Sequence, residues 1–147
     1  VGFLASDPRY PVILGALHSS AKPNPIAGSD DNHEKAIVTR SGMRIHWDDD
    51  KIIATIDTPG GNKIVLSEDG KSIEVEDQNG NKVTLDDGGI TLESPKDIKL
   101  KATGDVKIEG VNVELKASGN FKAEGSGGAD LKSSGTTVVK GSLVQIN

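Results

Sequence analysis

The chain has no cysteine among its 147 residues, and it has few aromatic side chains. Without cysteine it cannot form a disulfide framework, a thiolate metal site or a thiol nucleophile. Apolar residues make up 34% of the sequence and aromatic residues 3%, which is below the usual apolar share of a globular domain. No apolar run approaches the roughly 20 residues of a membrane helix. One copy of this chain is therefore too poor in apolar side chains to enclose a core by itself.

The chain also lacks basic charge, since its formal net charge is −5 at pH 7. Nucleic-acid binding needs a basic stripe that supplies affinity for phosphate, so we expect no nucleic-acid partner. The first residues, Val1 to Leu4, have neither an initiating Met nor the charged start of a signal peptide. We therefore expect a segment of a longer protein that is assembled in the cytoplasm without a signal peptide.

A short apolar pair recurs between Ile90 and Asn147. The pairs are Ile90 with Leu92, Ile98 with Leu100, Val106 with Ile108, Val113 with Leu115, Phe121 with Ala123, and Val144 with Ile146. The first residues of the first five pairs are 8, 8, 7 and 8 residues apart. One polar residue separates the members of each pair, so both lie on one face of a strand. Turn-forming residues such as those at 94–97 and 102–105 follow, and each repeat is predicted to be one short strand plus one corner.

Such short strands are stable only when neighbouring repeats cover a shared core. Three identical chains around a common axis would each supply one side of a triangular tube and would leave no exposed strand edges along its length. The predicted fold is all-β, and its main part is an intertwined homotrimeric triple-stranded β-helix. The side chains predicted to form the trimer core are Ile64, Leu66, Ile73, Val75, Val83, Leu85, Ile90, Leu92, Ile98, Leu100, Val106, Ile108, Val113, Leu115 and Phe121.

The preceding segment has longer strands and wider turns. Between Lys51 and Gly89 the apolar pairs recur every nine or ten residues, and turns rich in Asn-Gly and Asp-Gly predict meander hairpins or wide corners. The alternation upstream predicts that Ile45 and Trp47 lie on a core face and that Arg44 and His46 form a solvated pair on the other face. We divide the chain into strands of another domain at 1–20, a linker at 21–34, a neck with wide turns at 35–89, and a needle with its tip at 90–147.

Two acidic motifs could bind a cation. The run Asp48–Asp50 is more simply a solvated turn between two strands. Asp77, Asn79 and Asn81 imitate the start of a calcium loop, but the sixth position is Lys82 and the twelfth is Gly88. A calcium loop needs Gly and Glu there, so this motif fails.

No catalytic group of residues is evident. Glu74 and Glu76 fall on outward positions, where no apolar pocket would raise a carboxyl pKa. No Gly-rich loop opens a helix, so phosphate-binding motifs are absent from the sequence. We predict no enzyme activity, no cofactor and no metal site.

The order of several motifs resembles one protein family. Residues 3–17, Phe-Leu-Ala-Ser-Asp-Pro-Arg-Tyr-Pro-Val-Ile-Leu-Gly-Ala-Leu, resemble the closing strands of an OB-fold domain. A Pro-containing linker at 22–25, the segment 39–45 and the octads follow in the same order. The chain is similar to the central spike proteins of contractile injection systems, which comprise VgrG proteins of type VI secretion, phage tail spikes and their equivalents in extracellular injection particles.

The resemblance implies a structural, membrane-puncturing role. The family forms a homotrimeric needle that meets baseplate hub and inner-tube proteins, is delivered outside the cell in the particle, and contacts a target membrane transiently. Its blunt end seats a PAAR-type tip protein, which here implicates Leu143, Val144, Gln145, Ile146 and Asn147. Some phage relatives bind iron at the apex through a His-x-His motif. In this chain histidine occurs only at 18, 33 and 46, so we expect no apical metal.

Two other functions remain open at this stage. A phage-tail β-helix that binds or degrades surface polysaccharide would need exposed aromatic residues or paired carboxylates, yet Phe121 is the single aromatic residue of the repeats and is predicted to face inward. A single-chain calcium β-roll is suggested by residues 125–130, but Ser126 interrupts the glycine pattern and no second copy follows.

Overall fold

The structure is a computed structural model that describes residues 2–3, 7–12 and 18–146. The described residues contain strands and no helix, so the predicted all-β class is confirmed. The strands are β1 (Gly2–Phe3), β2 (Pro11–Val12), β3 (Glu34–Val38), β4 (Arg44–Asp48), β5 (Ile53–Asp57), β6 (Lys63–Ser67), β7 (Ser72–Glu76), β8 (Lys82–Asp86) and β9 (Gly89–Glu93). The chain divides into two compact units, residues 1–100 and residues 101–147.

The first two strands form a small antiparallel pair in which Gly2 lies opposite Val12. The turn between them is closed by a hydrogen bond from the Tyr10 backbone N–H to the Asp7 carbonyl at 3.0 Å. The Arg9 guanidinium also donates to the Asp7 carboxylate at 2.6 Å and holds the pKa of that carboxyl below its usual value. The rest of the predicted OB-fold segment, at 1, 4–6 and 13–17, lies outside the described residues.

Strands β3 to β9 form one antiparallel sheet in which each strand pairs with the next in sequence. This is the meander that the turns between 51 and 89 predict. The sequence predicts a strand at 52–57, but β5 starts one residue later, because Ile52 has a φ of +53° and belongs to the preceding loop. The first octad pair, Ile90 and Leu92, lies in β9 and so belongs to this sheet.

The loops of the meander alternate between two lengths. Five-residue loops at 39–43, 58–62 and 77–81 join strands at one end, and shorter loops at 49–52, 68–71 and 87–88 join them at the other. In each five-residue loop the first N–H bonds to the fifth carbonyl and the fourth N–H bonds to the first carbonyl. The fourth residue is always a glycine with φ between +83° and +100°, a region that glycine enters without strain. Equivalent loop positions are 19 residues apart, so the repeat here is a pair of strands.

Neighbouring five-residue loops contact one another. The Asn62 side-chain oxygen accepts a hydrogen bond from the Gln78 backbone N–H at 3.2 Å. In the next loop, Asn81 accepts one from the Ser94 hydroxyl at 2.7 Å. A Cβ atom on Gly42 would lie 3.0 Å from Pro59, so glycine is also needed there for space. These contacts order the loops along one edge of the sheet.

The second unit differs from the sheet. The described residues from 94 to 146 contain no strand, and residues 97–144 make no backbone-to-backbone hydrogen bond within the chain. The predicted octad strands after Glu93 are therefore not paired inside one chain. Strands of this kind need partners from elsewhere.

Candidate trimerisation surface

Apolar side chains line one side of the sheet formed by β3 to β9, and we call this side the apolar face. Residues directly opposite each other in an antiparallel pair lie on the same side of the sheet. The register forms two rows across it, one of Ile37, Ile45, Ile56, Ile64, Val75, Val83 and Leu92, the other of Lys35, Trp47, Ala54, Leu66, Ile73, Leu85 and Ile90. The eight residues from Ile64 to Leu92 that the sequence predicts as trimer core all belong to these rows.

The apolar face is not covered by its own chain. The described residues include no buried apolar side chain, and the single buried residue among them is Thr55 on the other face. Leu66 is 48% exposed and Leu92 55%. The chain exposes 13680 Å², whereas a compact monomer of 15.3 kDa exposes about 7,100 Å². These leucines are already about half covered, so burying the rest of each is worth roughly half of the 1.5–3 kcal/mol of a fully exposed one, and the many side chains of this face together favour association.

One polar residue lies at the end of the apolar rows. The Lys35 ammonium donates to the Asn32 carbonyl at 2.6 Å and pairs with the Asp49 carboxylate in the adjacent loop. Its charge is thereby directed to the edge of the sheet. The apolar rows themselves remain uninterrupted from β4 to β9.

The opposite face is polar and carries ion pairs. Arg44 meets Asp57 at 2.9 Å, and Lys82 meets Glu74 at 2.8 Å, which raises the pKa of that lysine. Arg44 and His46 lie on this face as the alternation predicts. His46 corrects the prediction of a solvated pair, because its side chain is only 16% exposed and its Nε2 lies 2.5 Å from the carboxylate of Glu34.

A depression of about 590 Å³ opens on the sheet where the short loops meet it. Trp47, Leu66, Ile73 and Leu85 from the apolar rows line it, together with Ile52 in a loop. The residues that it shares with the apolar rows make it part of the same surface, and polar residues of the short loops, such as Asp49 and Lys71, also line it.

The octad residues that follow the sheet are likewise uncovered. Ile98, Val106, Val113 and Phe121 are each more than half exposed. A strand is stabilised by hydrogen bonds to a neighbour, and none is available within this part of the chain. Both the side chains and the backbone of the octads are thus complete only when a partner supplies the other half.

The acidic motifs serve the turns. The Asp48 carboxylate accepts hydrogen bonds from the N–H groups of Asp50 and Lys51 at 3.0 and 3.1 Å, as expected for a turn. Asp77 accepts hydrogen bonds from Asn79 and Asn81, and those from the Asn81 side chain and backbone contribute most to lowering its pKa to about 2. Among the described residues no group of three or more acidic or histidine side chains is placed to hold a metal ion. No helix in that part of the chain is long and apolar enough to cross a membrane.

A family model described as the phage baseplate V C-terminal trimerisation domain matches residues 53–147. The chain belongs to this family. The match covers most of the sheet and all of the octads, which are the two regions whose apolar side chains lack cover. Membership in this trimerisation domain family supports a structural role in a baseplate spike and assembly as a homotrimer. No curated protein matches the chain.

The register of the sheet extends the apolar rows beyond the predicted core residues, toward the N-terminal strands. Ile37, Ala54 and Ile56 complete the apolar rows but are missing from the predicted core residues. The signal that could have found them is the register, because Ile56 lies between Ile45 and Ile64. The predicted tip residues Leu143, Val144, Gln145 and Ile146 are all exposed, and Asn147 lies outside the described residues.

Proposed function

We propose that three copies of this chain wind into a β-helical needle that punctures a target membrane at the tip of a contractile injection apparatus. The observation that carries the proposal is the apolar face of the sheet, which has no cover from its own chain in a family defined by trimerisation. Closed threefold symmetry lets the same face of each copy meet the other two at one axis. Backbone groups of residues 97–144 would then pair between chains.

A needle of this kind does its work by stiffness. The proposed role is mechanical and non-enzymatic, in keeping with the short strands and tight loops of the described residues. In this proposal the trimer is assembled in the cytoplasm with hub and inner-tube proteins, and it leaves the cell as part of the particle.

The far end of the needle is proposed to seat a PAAR-type tip protein. Leu143 is 82% exposed and Ile146 is 90% exposed, while Val144 is 49% exposed. An apolar patch at the end of paired strands is a surface that another protein can cover. A capped tip would also present a harder point to a membrane than three strand ends.

The test uses the full-length spike in its particle. The double variant Val144→Asp with Ile146→Asp should abolish co-purification of the PAAR-type protein and reduce dye release from target cells, while the trimer mass in sedimentation stays unchanged. The control is Thr136→Asp. Thr136 is exposed like Val144 and Ile146, but it is already polar and lies outside the predicted tip. If the double variant retains both the tip protein and dye release, the tip assignment is wrong; if the wild-type chain sediments as a monomer, the needle itself is wrong.

A further inference from the structure

The residue that follows each apolar pair in the octads alternates in charge. These residues are Lys101, Glu109, Lys116, Glu124 and Lys132. The first four follow the pairs that end at Leu100, Ile108, Leu115 and Ala123, and Lys132 follows Ala129 and Leu131, which have the same spacing. The equivalent residue of β9 is Glu93, which has the sign that continues the series. The alternation ends at Lys140, which comes after Thr137 and Val139. We call the five residues from Lys101 to Lys132 the charge column.

The residue between the two apolar side chains of each pair has no such order. Lys99 and Lys107 occupy this position in consecutive octads and have the same sign. The alternation is therefore a property of one position of the octad rather than of its overall composition.

The charge column is open to partners. All five side chains are exposed. Lys101, Glu109 and Lys116 make no ion pair with other described residues, while Glu124 meets Lys122 at 2.6 Å and Lys132 meets Asp130 at 3.2 Å. These two intrachain pairs join residues two apart on strongly exposed side chains, where the interaction is weak and screened.

Threefold symmetry determines which octads become neighbours. In a closed trimer, octads of the same number lie at the same height on three sides of the tube. At each corner a chain passes to the next side of the tube. On any one side, the strand of octad n from one copy therefore lies next to the strand of octad n + 1 from another copy. Adjacent strands are roughly 4.8 Å apart, close enough for side chains at equivalent positions to interact. The apolar pair faces the axis, and by period two the following residue faces outward.

We propose that the charge column forms a ladder of alternating ion pairs between copies and sets the register in which the three chains associate. Lys101 of one copy then meets Glu109 of the next, and Lys116 lies between Glu109 and Glu124 of its neighbours. If one chain slipped by one octad along the other two before the trimer closed, like charges would lie opposite one another, which is unfavourable in a strand ladder. The apolar pairs alone do not exclude that slip, because every octad offers much the same apolar face. This inference rests on the trimeric needle proposed above.

Cysteine cross-linking tests the register, and the chain has no cysteine of its own. The full-length double variant Lys101→Cys with Glu109→Cys, oxidised in the native state, should run as a covalent trimer in non-reducing gels. Each single variant should run as a single chain. If a single variant cross-links, or if the double variant does not while sedimentation still shows a trimer, the register is overturned. A monomer in sedimentation would instead refute the trimeric needle.

A charge exchange tests the ion pairs without changing composition. The variant Glu109→Lys with Lys116→Glu breaks the alternation but keeps the net charge, and we expect its Tm to fall by about 5 °C at low salt. The difference should nearly vanish in 1 M salt, where the screening length is only about 3 Å. Inverting all six residues from Glu93 to Lys132 that carry the series, Glu93 together with the charge column, keeps both the alternation and the net charge and should restore the Tm. An unchanged Tm for the exchange variant at low salt would contradict the role of the charge column.

Discussion

At the scale of single residues, the loops depend on side chains that replace backbone partners. Asp77 is the clearest case, because its carboxylate accepts hydrogen bonds from both the backbone and the side chain of Asn81 as well as from Asn79. The hydrogen bonds favour the ionised form, which is why its pKa falls to about 2 from an ordinary value of 3.8. The loop that carries Gly80 is therefore ordered by a charge rather than by packing.

Acid should loosen this loop. Because the folded pKa of Asp77 lies below its unfolded value, its contribution is fully present above about pH 4 and is lost as pH falls through about 2. We expect Asp77→Asn to have a lower Tm than wild type at pH 5, and the gap should narrow as pH approaches 2. Asp69→Asn is the control, since the Asp69 side chain makes no hydrogen bond in the structure. A gap of the same size at pH 2 and pH 5 would show that the Asp77 charge is not the cause.

The sequence predicts this residue only in part. The spacing of Asp77, Asn79 and Asn81 distinguishes the loop from a calcium site, because Lys82 and Gly88 stand where ligand geometry needs other residues. That the carboxylate would instead bind its own loop depends on the left-handed turn at Gly80. His46 shows the same limit, since alternation gives its face but not its pairing with Glu34.

At the scale of strands, the alternation of apolar and polar residues predicts most of the sheet. The sequence predicts strands at 63–66, 72–76 and 82–85, and β6 to β8 lie within one residue of these bounds. Asn-Gly and Asp-Gly turns limit each hairpin, and the period-two pattern fixes its two faces. The 19-residue repeat was missed because the apolar pairs recur at half that distance. The octad strands could not be observed in one chain, since their hydrogen-bond partners are not in it.

Two adjacent residues of β9 test which face associates. Leu92 lies in the apolar rows beside Val83, and Thr91 lies on the polar face beside Thr84. Leu92→Asp places three charges at the proposed axis and should convert the trimer to monomers in sedimentation, because each charge would lose its hydration and each half-exposed leucine no longer contributes roughly half of the 1.5–3 kcal/mol of full burial. Thr91→Asp, one residue away, should leave the mass unchanged. Dissociation by the threonine variant alone would reverse the assignment of the faces.

At the scale of the whole molecule, the sheet and the residues that follow it differ in backbone hydrogen bonding. The inner strands of the sheet, β4 to β8, are hydrogen-bonded to a neighbour on both sides, whereas residues 97–144 make no backbone-to-backbone hydrogen bond within the chain. In a trimer with interchain strands, those amides should exchange with solvent as slowly as the amides of the sheet. In the monomer made by Leu92→Asp they should exchange quickly, and those of β5 to β7 should be less affected.

Hydrogen–deuterium exchange read by mass spectrometry gives this comparison peptide by peptide. Peptides from 101–116 report on the octads, and peptides from 53–76 report on the sheet. Rapid exchange at 101–116 in a sample whose mass is that of a trimer would mean that the octads do not pair between chains.

The bare apolar face also has a consequence for synthesis. A newly synthesised copy cannot bury these isoleucines, leucines and valines by itself, so association is part of folding. The rate of folding should therefore rise steeply with the local concentration of the chain. Dilution should slow association, and synthesis of several copies from one messenger RNA should speed it. Once three copies have associated, none can dissociate without exposing its apolar face again. We therefore expect the trimer to dissociate very slowly, even after dilution.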